Sequence, residues 1–339
     1  MNSPRPRLDP ATAETRRAVR VLLETARTDG VVTDGDLVLV ALSGGADSLA
    51  LAAASAFEAP KQALRAGAVV VDHALQEGSA EVAIRASRQA ASLGLDPVTV
   101  RRVTVGSAGG PENAAREARH ASITEVASAT GSPLVLFGHT LDDQAETVLL
   151  GLLRGSGPDA LSGMPPLARR AVGPAYGRPL LGVRRHTTRA ACVAAGLAPW
   201  DDPQNDDPAY GRVRVRTALM PALERELGAG VPEALARTAD QLREDAAALD
   251  HFAEEMAQDL AEHSEAGISL SVRQLAANPP ALRQRLVRLA VESEFGVTLS
   301  RVQTLEVCRL VTDWHGQGPI ALPGVSASRD GDRLAFAAG

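Results

Sequence analysis

The sequence predicts an α/β fold, followed by a smaller, mainly α-helical C-terminal domain that ends in a short β-hairpin. Between residues 37 and 152, short apolar runs alternate four times with amphipathic helical segments, which is typical of a parallel sheet with right-handed crossovers and helices on both faces. From about residue 230 the pattern changes to long helical segments and then to three short strands around an Asp330-Gly331-Asp332 turn.

The first strand and the turn after it organise the N-terminal part of the chain. Leu37 to Leu42 form an apolar run short enough for a buried parallel strand, and Ser43-Gly44-Gly45-Ala46-Asp47-Ser48 then leads into a helix over about 47–57. Adjacent glycines let a backbone pass close to a ligand, Ser43 and Ser48 offer hydroxyls, and a helix N-terminus attracts anions. We expect a phosphate-binding loop here; the alternative is a Gly-Gly turn capped by serines.

The other predicted elements continue this alternation. Those of the first domain are helices over about 11–27, 78–93, 112–129, 183–195 and 212–227, strands over 68–73, 97–105 and 133–138, and a helix that includes Leu141 to Leu152. Those of the second are helices over about 232–263, 279–295 and 299–313 and strands at 320–322, 326–329 and 334–336. The pattern predicts a first domain over 1–225, with a core at 35–165 and an arginine-rich extension at 166–225, and a second over 226–339.

Polar side chains stand at the carboxyl end of the second predicted strand. Asp72 and His73 directly follow the apolar run at 68–71. Ligands of open α/β sheets bind beyond the carboxyl ends of strands, so both residues are candidates for the site. Ordinary solvation of a strand end is the alternative.

Two helical segments carry further polar groups on one face. Arg116, Arg119 and His120 are spaced i, i+3 and i+4, either around a ligand or as a salt-bridged surface. Asp142, Asp143 and Glu146 lie opposite the apolar stripe of their helix, and His139 just before it points the same way. The alternative for this second group is that Thr140 caps the helix and the two aspartates complement its dipole.

Composition excludes several classes of protein. The net charge of −6 and the pI of about 5.7 argue against a general nucleic-acid binder. Residues 165–225 nevertheless hold ten arginines against five acids, which is either a nucleic-acid surface or a solvated one. Two cysteines, Cys192 and Cys308, permit neither a zinc site nor a disulfide framework, and Lys61 is the single lysine. Without a signal sequence or a run of roughly 18 apolar residues, we expect a cytoplasmic protein with no membrane partner.

Several stretches together resemble the tRNA(Ile)-lysidine synthetase family, which carries the PP-loop, SGGxDS, of the N-type ATP pyrophosphatases. They are SGGADS at 43, VDHALQEGSAE at 71, ENAAREAR at 112, GHTLDDQAETVLLGLLRGSG at 138, RPLL at 178, and WDDPQN at 200 with a downstream RVRVRTALMPAL. Thr140 departs from a frequent second histidine, and Gly211-Arg212-Val213 departs from a usual Arg-Asn pair. The resemblance covers residues 37 to about 224 and implies a Rossmann-like PP-loop ATPase sheet.

The resemblance implies that ATP adenylates the wobble cytidine of a tRNA(Ile) with a CAU anticodon, and that free L-lysine then displaces AMP to form lysidine. It assigns ATP to Ser43, Gly44, Gly45 and Ser48, with Asp72 and His73 nearby, and Mg²⁺ to Asp47. It further implies that Asp143 and Glu146 hold lysine, and that His139, Arg116 and Arg119 steady charge during adenyl transfer. Arg184, Arg185 and Arg189 are expected to bind tRNA together with the C-terminal domain, and a homodimer is left open.

Three other functions compete with this interpretation. A tRNA thiolase also adenylates a base, but thiolases that use a persulfide or a cluster need placed cysteines, which this chain lacks. A non-catalytic ATP-binding protein would not need His139, Asp143 and Glu146 on one face. An amidotransferase-type ligase would need an ammonia source or a catalytic cysteine motif.

Overall fold

The structure is a computed structural model that describes residues 8–72, 78–103, 111–155, 157–264 and 267–339. It divides into two compact units, Met1–Asp240 and Gln241–Gly339. The division falls inside one long helix. No helix among the described residues has a segment long and apolar enough to cross a membrane.

The first unit is an α/β structure, as the sequence predicts. Its strands are β1 (Leu37–Leu42), β2 (Arg65–Asp72), β3 (Val98–Arg102), β4 (Leu134–Leu136), β5 (Leu167–Ala168) and β6 (Ala175–Gly177). Its helices are α1 (Pro10–Thr28), α2 (Ala46–Glu58), α3 (Ser79–Ser92), α4 (Pro111–Thr130), α5 (Leu141–Leu153), α6 (Pro158–Leu161), α7 (Arg185–Ala194), α8 (Gly211–Arg214) and α9 (Met220–Leu227). Short 3-10 turns occupy Pro60–Gln62, Pro179–Gly182 and Pro203–Asp206, and a π-helical turn occupies Val215–Leu219.

The strand order of the sheet is β3-β2-β1-β4-β6-β5. All neighbours pair in parallel except β5, which runs antiparallel to β6. The four predicted strands are confirmed. The two- and three-residue strands β5 and β6 were missed because they lie in a glycine- and proline-rich stretch and are defined by long-range pairing, β6 with β4 and β5 with β6.

Both faces of the sheet are covered by helices. Val38, Val40 and Leu42 of β1 belong to one core with α1, α2 and α7, whereas Leu37 and Leu39 belong to a second core with α4. This explains the continuous apolar run of β1, because a parallel strand buried on both faces has no polar side.

The order of the strands fixes where a ligand can bind. The chain builds outward from β1 through β2 to β3 and then returns to place β4 on the other side of β1, with Val38 opposite Leu134. The segments after β1 and β4 therefore diverge at a topological switch point. Such a point opens a crevice at the carboxyl ends of the strands.

The second unit packs helices against an antiparallel sheet. The helix α10 (Val231–Leu260) crosses the division, and α11 (Val272–Ala277), α12 (Pro280–Phe295) and α13 (Arg301–Thr312) follow it. The sheet order is β7-β8-β11-β10-β9, formed by β7 (Ala261–Ser264), β8 (Gly267–Ser271), β9 (Ile320–Leu322), β10 (Val325–Asp330) and β11 (Arg333–Ala338).

The predicted C-terminal hairpin is confirmed as β10 and β11, with Asp330 opposite Arg333. It belongs to a larger sheet than the sequence indicates. The helix predicted to reach residue 263 ends at Leu260, because Ala261–Ser264 pairs with β8 instead of continuing the helix. The pairing of β8 with β11 joins residues more than sixty positions apart, which no local pattern reveals.

Candidate active site

The turn after β1 is a tight loop, Ser43 to Ser48, that we call the phosphate loop. Gly44 has a φ of +87°, a conformation that favours glycine. The Ser48 hydroxyl accepts the Ser43 backbone N–H at 3.2 Å and donates to the Gly45 carbonyl at 2.9 Å. Gly45, at the N-cap of α2, offers no side-chain hydrogen bond to the helix. The first N–H groups of α2 therefore have no side-chain cap and can bind an anion.

Gly138 brings the end of β4 against the phosphate loop. A Cβ at this position would lie 3.0 Å from both the Asp47 carbonyl carbon and the Ser48 nitrogen. Any larger residue would push the two segments apart. The glycine thus places the two halves of the crevice in direct contact.

A cavity of about 330 Å³ opens between these segments. Phosphate-loop residues line one end, and Arg119, Phe137 and His139 line another. Val69 and Ile123 add apolar surface, which suits a flat aromatic base. Of the sequence candidates, Ser43, Asp47, Ser48, Asp72, Arg119 and His139 all reach this cavity.

Asp72 lies at the end of β2, as predicted. It is buried, and its Oδ2 is 3.8 Å from Arg102 Nε at the end of β3. The other candidate at this strand end, His73, lies outside the described residues.

We call Arg119, Phe137 and His139 the histidine wall. The rings of Phe137 and His139 stack at 5.9 Å with an interplanar angle of 22°. Behind them, His120 of α4 lies 5.4 Å from Phe137. Burial lowers the pKa values of His139 and His120 to about 4, so both rings are neutral at pH 7.

Two nitrogens of the histidine wall lack a hydrogen-bond partner among the described residues: Arg119 Nε and His139 Nδ1, both buried. Burial, aided by the charge of Arg116, lowers the pKa of the Arg119 guanidinium. The Arg116 side chain itself is exposed. Buried polar groups without partners are rare, and at a cavity they indicate a ligand-binding surface.

The carboxylates of Asp47, Asp143 and Glu146 form what we call the acid cluster. Asp143 is the N3 residue of α5, and its Oδ2 accepts the Thr140 backbone N–H at 2.8 Å in a capping box. The capping interpretation of Thr140 is therefore correct, and it leaves only Oδ1 of Asp143 for other partners. Glu146 lies one turn further on, with a side chain only 2% exposed.

Three arginines neutralise the acid cluster. Arg185 Nη2 is 2.8 Å from Asp143 Oδ1 and 3.3 Å from Glu146 Oε1, and Arg185 Nε is 3.7 Å from Asp47 Oδ2. Arg216 forms a bidentate ion pair with Glu146: Nε donates to Oε1 at 2.8 Å, and Nη2 donates to Oε2 at 3.0 Å. Arg212 Nε lies 3.8 Å from the same carboxylate, and its Nη2 donates to Thr147 at 3.0 Å. Burial alone would raise the pKa of Asp143, but the charge of Arg185 and the hydrogen bonds from Thr140 outweigh it and lower that pKa.

All three arginines expected to contact tRNA form ion pairs. Arg185 occupies the acid cluster, and Arg184 lies 2.9 Å from Glu233 and 3.3 Å from Asp142. Arg189 pairs with Asp201 at 2.6 Å, with both side chains more than half exposed. A tRNA phosphate would have to compete with these carboxylates, least so at Arg189.

Asp47 lies between the phosphate loop and the acid cluster. Its Oδ1 accepts a hydrogen bond from the Thr188 hydroxyl of α7. Burial raises the pKa of Asp47 to about 6, with the charge of Asp143 adding to the shift and Thr188 and Arg185 opposing it. Its carboxylate is thus poorly compensated at pH 7.

Asp47 fits a magnesium site that substrate completes. No group of three or more potential metal ligands occurs in the described part of the chain. Mg²⁺ usually binds one or two carboxylates and takes its remaining ligands from water and substrate phosphates. One carboxylate beside a phosphate loop matches that donor set.

Sequence reasoning missed several residues of the site. Arg212 and Arg216 were counted in the basic region but not paired with Glu146, although their i, i+4 spacing would place both on one helical face. The Arg216 side chain projects from the π-helical turn, an irregularity that often marks functional sites. Trp200 donates its backbone N–H to the Gly44 carbonyl at 2.9 Å and lines the cavity.

Comparison with known proteins shows the family of the chain. Residues 14–223 match the family model of the PP-loop domain, and residues 270–335 match that of the TilS substrate binding domain. A protein of Leifsonia xyli subsp. xyli named tRNA(Ile)-lysidine synthase is 62% identical over 303 residues, which are 89% of this chain and 90% of that relative. One of the same name from Streptomyces coelicolor is 51% identical over 321 residues, which are 92% and 88%.

A solved structure shows the same fold. The U34-tRNA thiolase NcsA from Methanococcus maripaludis, with its 4Fe-4S cluster, has a TM-score of 0.57 and 19% identity, and the match covers 69% of this chain and 80% of that chain. At this identity the likeness concerns the fold alone. The two family models and the relatives of 62% and 51% identity confirm the resemblance found in the sequence: the chain belongs to the tRNA(Ile)-lysidine synthase family.

Proposed function

We propose that this protein is a carbon-nitrogen ligase that joins free L-lysine to carbon 2 of the wobble cytidine of tRNA(Ile) with a CAU anticodon. The observation that carries the proposal is the contact of one guanidinium, that of Arg185, with the carboxylates of Asp47, Asp143 and Glu146. A long side chain ending in a cation thus already fits the acid cluster, directly beside the phosphate loop. Free L-lysine also has a long side chain that ends in a cation.

In the first step, the cytidine O2 attacks the α-phosphorus of ATP and pyrophosphate leaves. The N–H groups at the start of α2 and the Ser43 and Ser48 hydroxyls bind the phosphates. Arg119 and His139 Nδ1 have unused hydrogen-bonding capacity at the cavity and are suited to the charge that develops during transfer. Asp47 would hold Mg²⁺, which neutralises the leaving pyrophosphate.

In the second step, the lysine ε-amine attacks carbon 2, and AMP leaves with the former cytidine oxygen. Asp143 and Glu146 hold the amine end of lysine, but they also favour its protonated form, which cannot attack. His139 is neutral at pH 7, because burial lowers its pKa to about 4, so it can accept the proton. The negatively charged phosphate of the adenylated cytidine beside it would raise that pKa and make it a better base.

The proposed division of work follows the predicted domains. Residues 1–225 bind ATP and lysine and perform both steps, and residues 226–339 recognise the tRNA body. The match of residues 270–335 to a substrate-binding domain supports this division. A thiolase is the weaker candidate because the chain has only Cys192 and Cys308, which belong to different compact units.

The test is mass analysis of nucleosides after incubation with ATP, Mg²⁺, lysine and a tRNA(Ile) transcript bearing CAU. We expect a cytidine derivative heavier by one lysine less one water. The same transcript with GAU as its anticodon offers no wobble cytidine and is the control. A product that forms without lysine, or that contains sulfur, would reject the ligase.

A further inference from the structure

The acid cluster carries no spare negative charge in this structure. Its three carboxylates, Asp47, Asp143 and Glu146, face the three guanidiniums of Arg185, Arg212 and Arg216. Both Glu146 oxygens and Asp143 Oδ1 are engaged by arginine, and Asp143 Oδ2 serves the helix cap. A lysine ammonium arriving here would meet cations and occupied acceptors.

One guanidinium must therefore leave before lysine binds. Leaving the buried carboxylates without a cation is strongly unfavourable, so departure and replacement have to be coupled. The arginine that leaves should be weakly anchored, should be able to reach solvent, and should have another anion close by.

Arg185 meets these conditions better than Arg216. Arg216 holds Glu146 through a bidentate pair at 2.8 and 3.0 Å, whereas the Arg185 guanidinium spreads over three carboxylates at 2.8, 3.3 and 3.7 Å. Both side chains are partly exposed, by 21% for Arg185 and 26% for Arg216, so the difference between them lies in how each carboxylate is held and not in access to solvent. Arg185 is the first residue of α7. Its guanidinium is also the one that contacts Asp47 of the phosphate loop.

We propose that Arg185 is an internal occupant of the lysine site and that ATP bound at the phosphate loop draws it away, so that lysine binds second. The inference rests on the proposed function and adds an order to it. A triphosphate is a stronger partner for a guanidinium than a carboxylate already shared with Arg216. Once Arg185 turns toward the phosphates, Asp143 Oδ1 and Glu146 Oε1 lose one cation and can accept the lysine ammonium.

This exchange would match the chemistry that follows. Lysine is needed only after the cytidine is adenylated, and the carboxylates stay paired at every stage, first with arginine and then with lysine. Arg185 is accordingly a positioning residue, because it acts on the carboxylates and the phosphates and not on the reacting atoms.

Calorimetric titration of L-lysine tests the proposal. For the wild-type protein, we expect saturating α,β-methylene ATP, a non-cleavable analogue, with Mg²⁺ to tighten lysine binding about tenfold or more, within the usual range of coupling between sites. Arg185→Gln should bind lysine without the analogue at least about as tightly as wild type does with it, and the analogue should add little. Arg225→Gln, which removes an arginine from the exposed Arg225–Glu226 pair, is the matched control and should behave as wild type.

Two results would overturn the proposal. One is equal lysine affinity of the wild-type protein with and without the analogue, which decides the matter even if Arg185→Gln does not fold. The other is a folded Arg185→Gln, verified by its melting curve and by analogue binding, that binds lysine no more tightly than nucleotide-free wild type.

Failure of the proposed function would look different. Glu146→Gln should weaken lysine binding about 100-fold in the presence of the analogue. If that variant still binds lysine as wild type does, the acid cluster is not the lysine site. That result would reject the proposed lysine site itself, and not only the order of binding.

Discussion

The histidine wall and the acid cluster differ in how their polar groups are satisfied. In the histidine wall, Arg119 Nε and His139 Nδ1 are buried without hydrogen-bond partners among the described residues. In the acid cluster, every carboxylate has a guanidinium within 3.8 Å. The histidine wall is therefore incomplete without ligand, whereas Asp143 and Glu146 of the acid cluster are paired without it.

This difference separates two ways of preparing a site. The histidine wall is preorganised: its unsatisfied polar nitrogens make the protein less stable, and ligand supplies the missing partners without rearrangement. The acid cluster is satisfied internally, so ligand has to replace a side chain. Substitutions in these two regions should therefore affect stability in opposite directions while each impairs one half-reaction.

The largest effect is expected at the phosphate loop, which both regions adjoin. Asp47→Ala and Ser48→Ala should each reduce ATP-dependent pyrophosphate release about 1,000-fold, because each removes a group aimed at charge on the phosphates. Ser55→Ala on the same helix is the control, since the buried Ser55 hydroxyl has no hydrogen-bond partner within the described ranges. Normal release by folded Asp47→Ala would remove the phosphate-loop assignment.

The next largest effect is expected in the acid cluster. Glu146→Gln should raise the lysine KM about 100-fold, because loss of a buried, hydrogen-bonded charge partner costs a few kcal/mol. Adenylation of tRNA, measured as pyrophosphate release without lysine, should survive. The variant should also unfold more easily, by about 3 kcal/mol, because Arg185 and Arg216 lose their shared partner.

Glu224→Gln is the control for that measurement. Its carboxylate pairs with Arg184 at 3.6 Å and is partly exposed, so neither the lysine KM nor stability should change much. Equal loss of both half-reactions in Glu146→Gln would reassign this carboxylate to ATP or metal.

In the histidine wall we expect the opposite pattern, in which adenylation is impaired while the lysine KM and stability are kept. Arg119→Met should slow adenylation about 100-fold, since a cation facing developing charge is lost, while the lysine KM changes little. Its melting temperature should stay level or rise, because a buried guanidinium nitrogen without a partner disappears. A pronounced loss of stability would show that Arg119 is a structural residue. Substitutions in the histidine wall and in the acid cluster would then no longer differ in their effect on stability.

Local patterns predicted the fold better than the pairing within the site. The apolar run at 37–42 and the helical spacing of Leu141, Ala145 and Val148 each specify an element from nearby residues, and both elements form as predicted. The phosphate loop follows from the order of strand, glycines and helix. Conversely, β8 and β11 pair across the second unit, and only long-range contact defines them.

The ion pairs across the site could not be predicted from the sequence for a related reason. Arg216 and Glu146 are 70 positions apart, and a count of arginines between 165 and 225 treats Arg216, Arg185 and Arg189 alike. In the structure the first two face a buried acid cluster and the third faces solvent. A count of arginines along the sequence gives the local positive charge, whereas the fold decides which carboxylate each arginine pairs with.

A smaller effect concerns tRNA. Arg189 pairs with Asp201 in an exposed position, so phosphate can replace that carboxylate at little cost. Arg189→Gln should weaken tRNA binding a few-fold and reduce the slope of log affinity against log salt by about 1, while ATP and lysine binding stay unchanged. Arg27→Gln, which breaks the distant Arg27–Asp34 pair, is the control. An unchanged slope would mean that Arg189 belongs to a solvated surface.

The smallest effect is a dependence of stability on pH at Asp47, the residue that links the two regions. Burial raises its pKa from 3.8 to about 6. The protonated form therefore contributes stability that is fully present below about pH 3.8 and is lost as the pH rises through about 6.

At pH 8 the ionised Asp47 destabilises the ligand-free protein, by about 1–2 kcal/mol after allowance for its partial exposure. Asp47→Asn removes that ionisation, so its melting temperature should exceed that of wild type at pH 8, and the difference should shrink to nothing near pH 4. Calorimetry across this range, with the exposed Asp201→Asn as control, measures it. If Asp47→Asn melts no higher than wild type at pH 8, the contacts with Thr188 and Arg185 fully compensate the carboxylate, and Asp47 is then as well satisfied without ligand as Asp143 and Glu146.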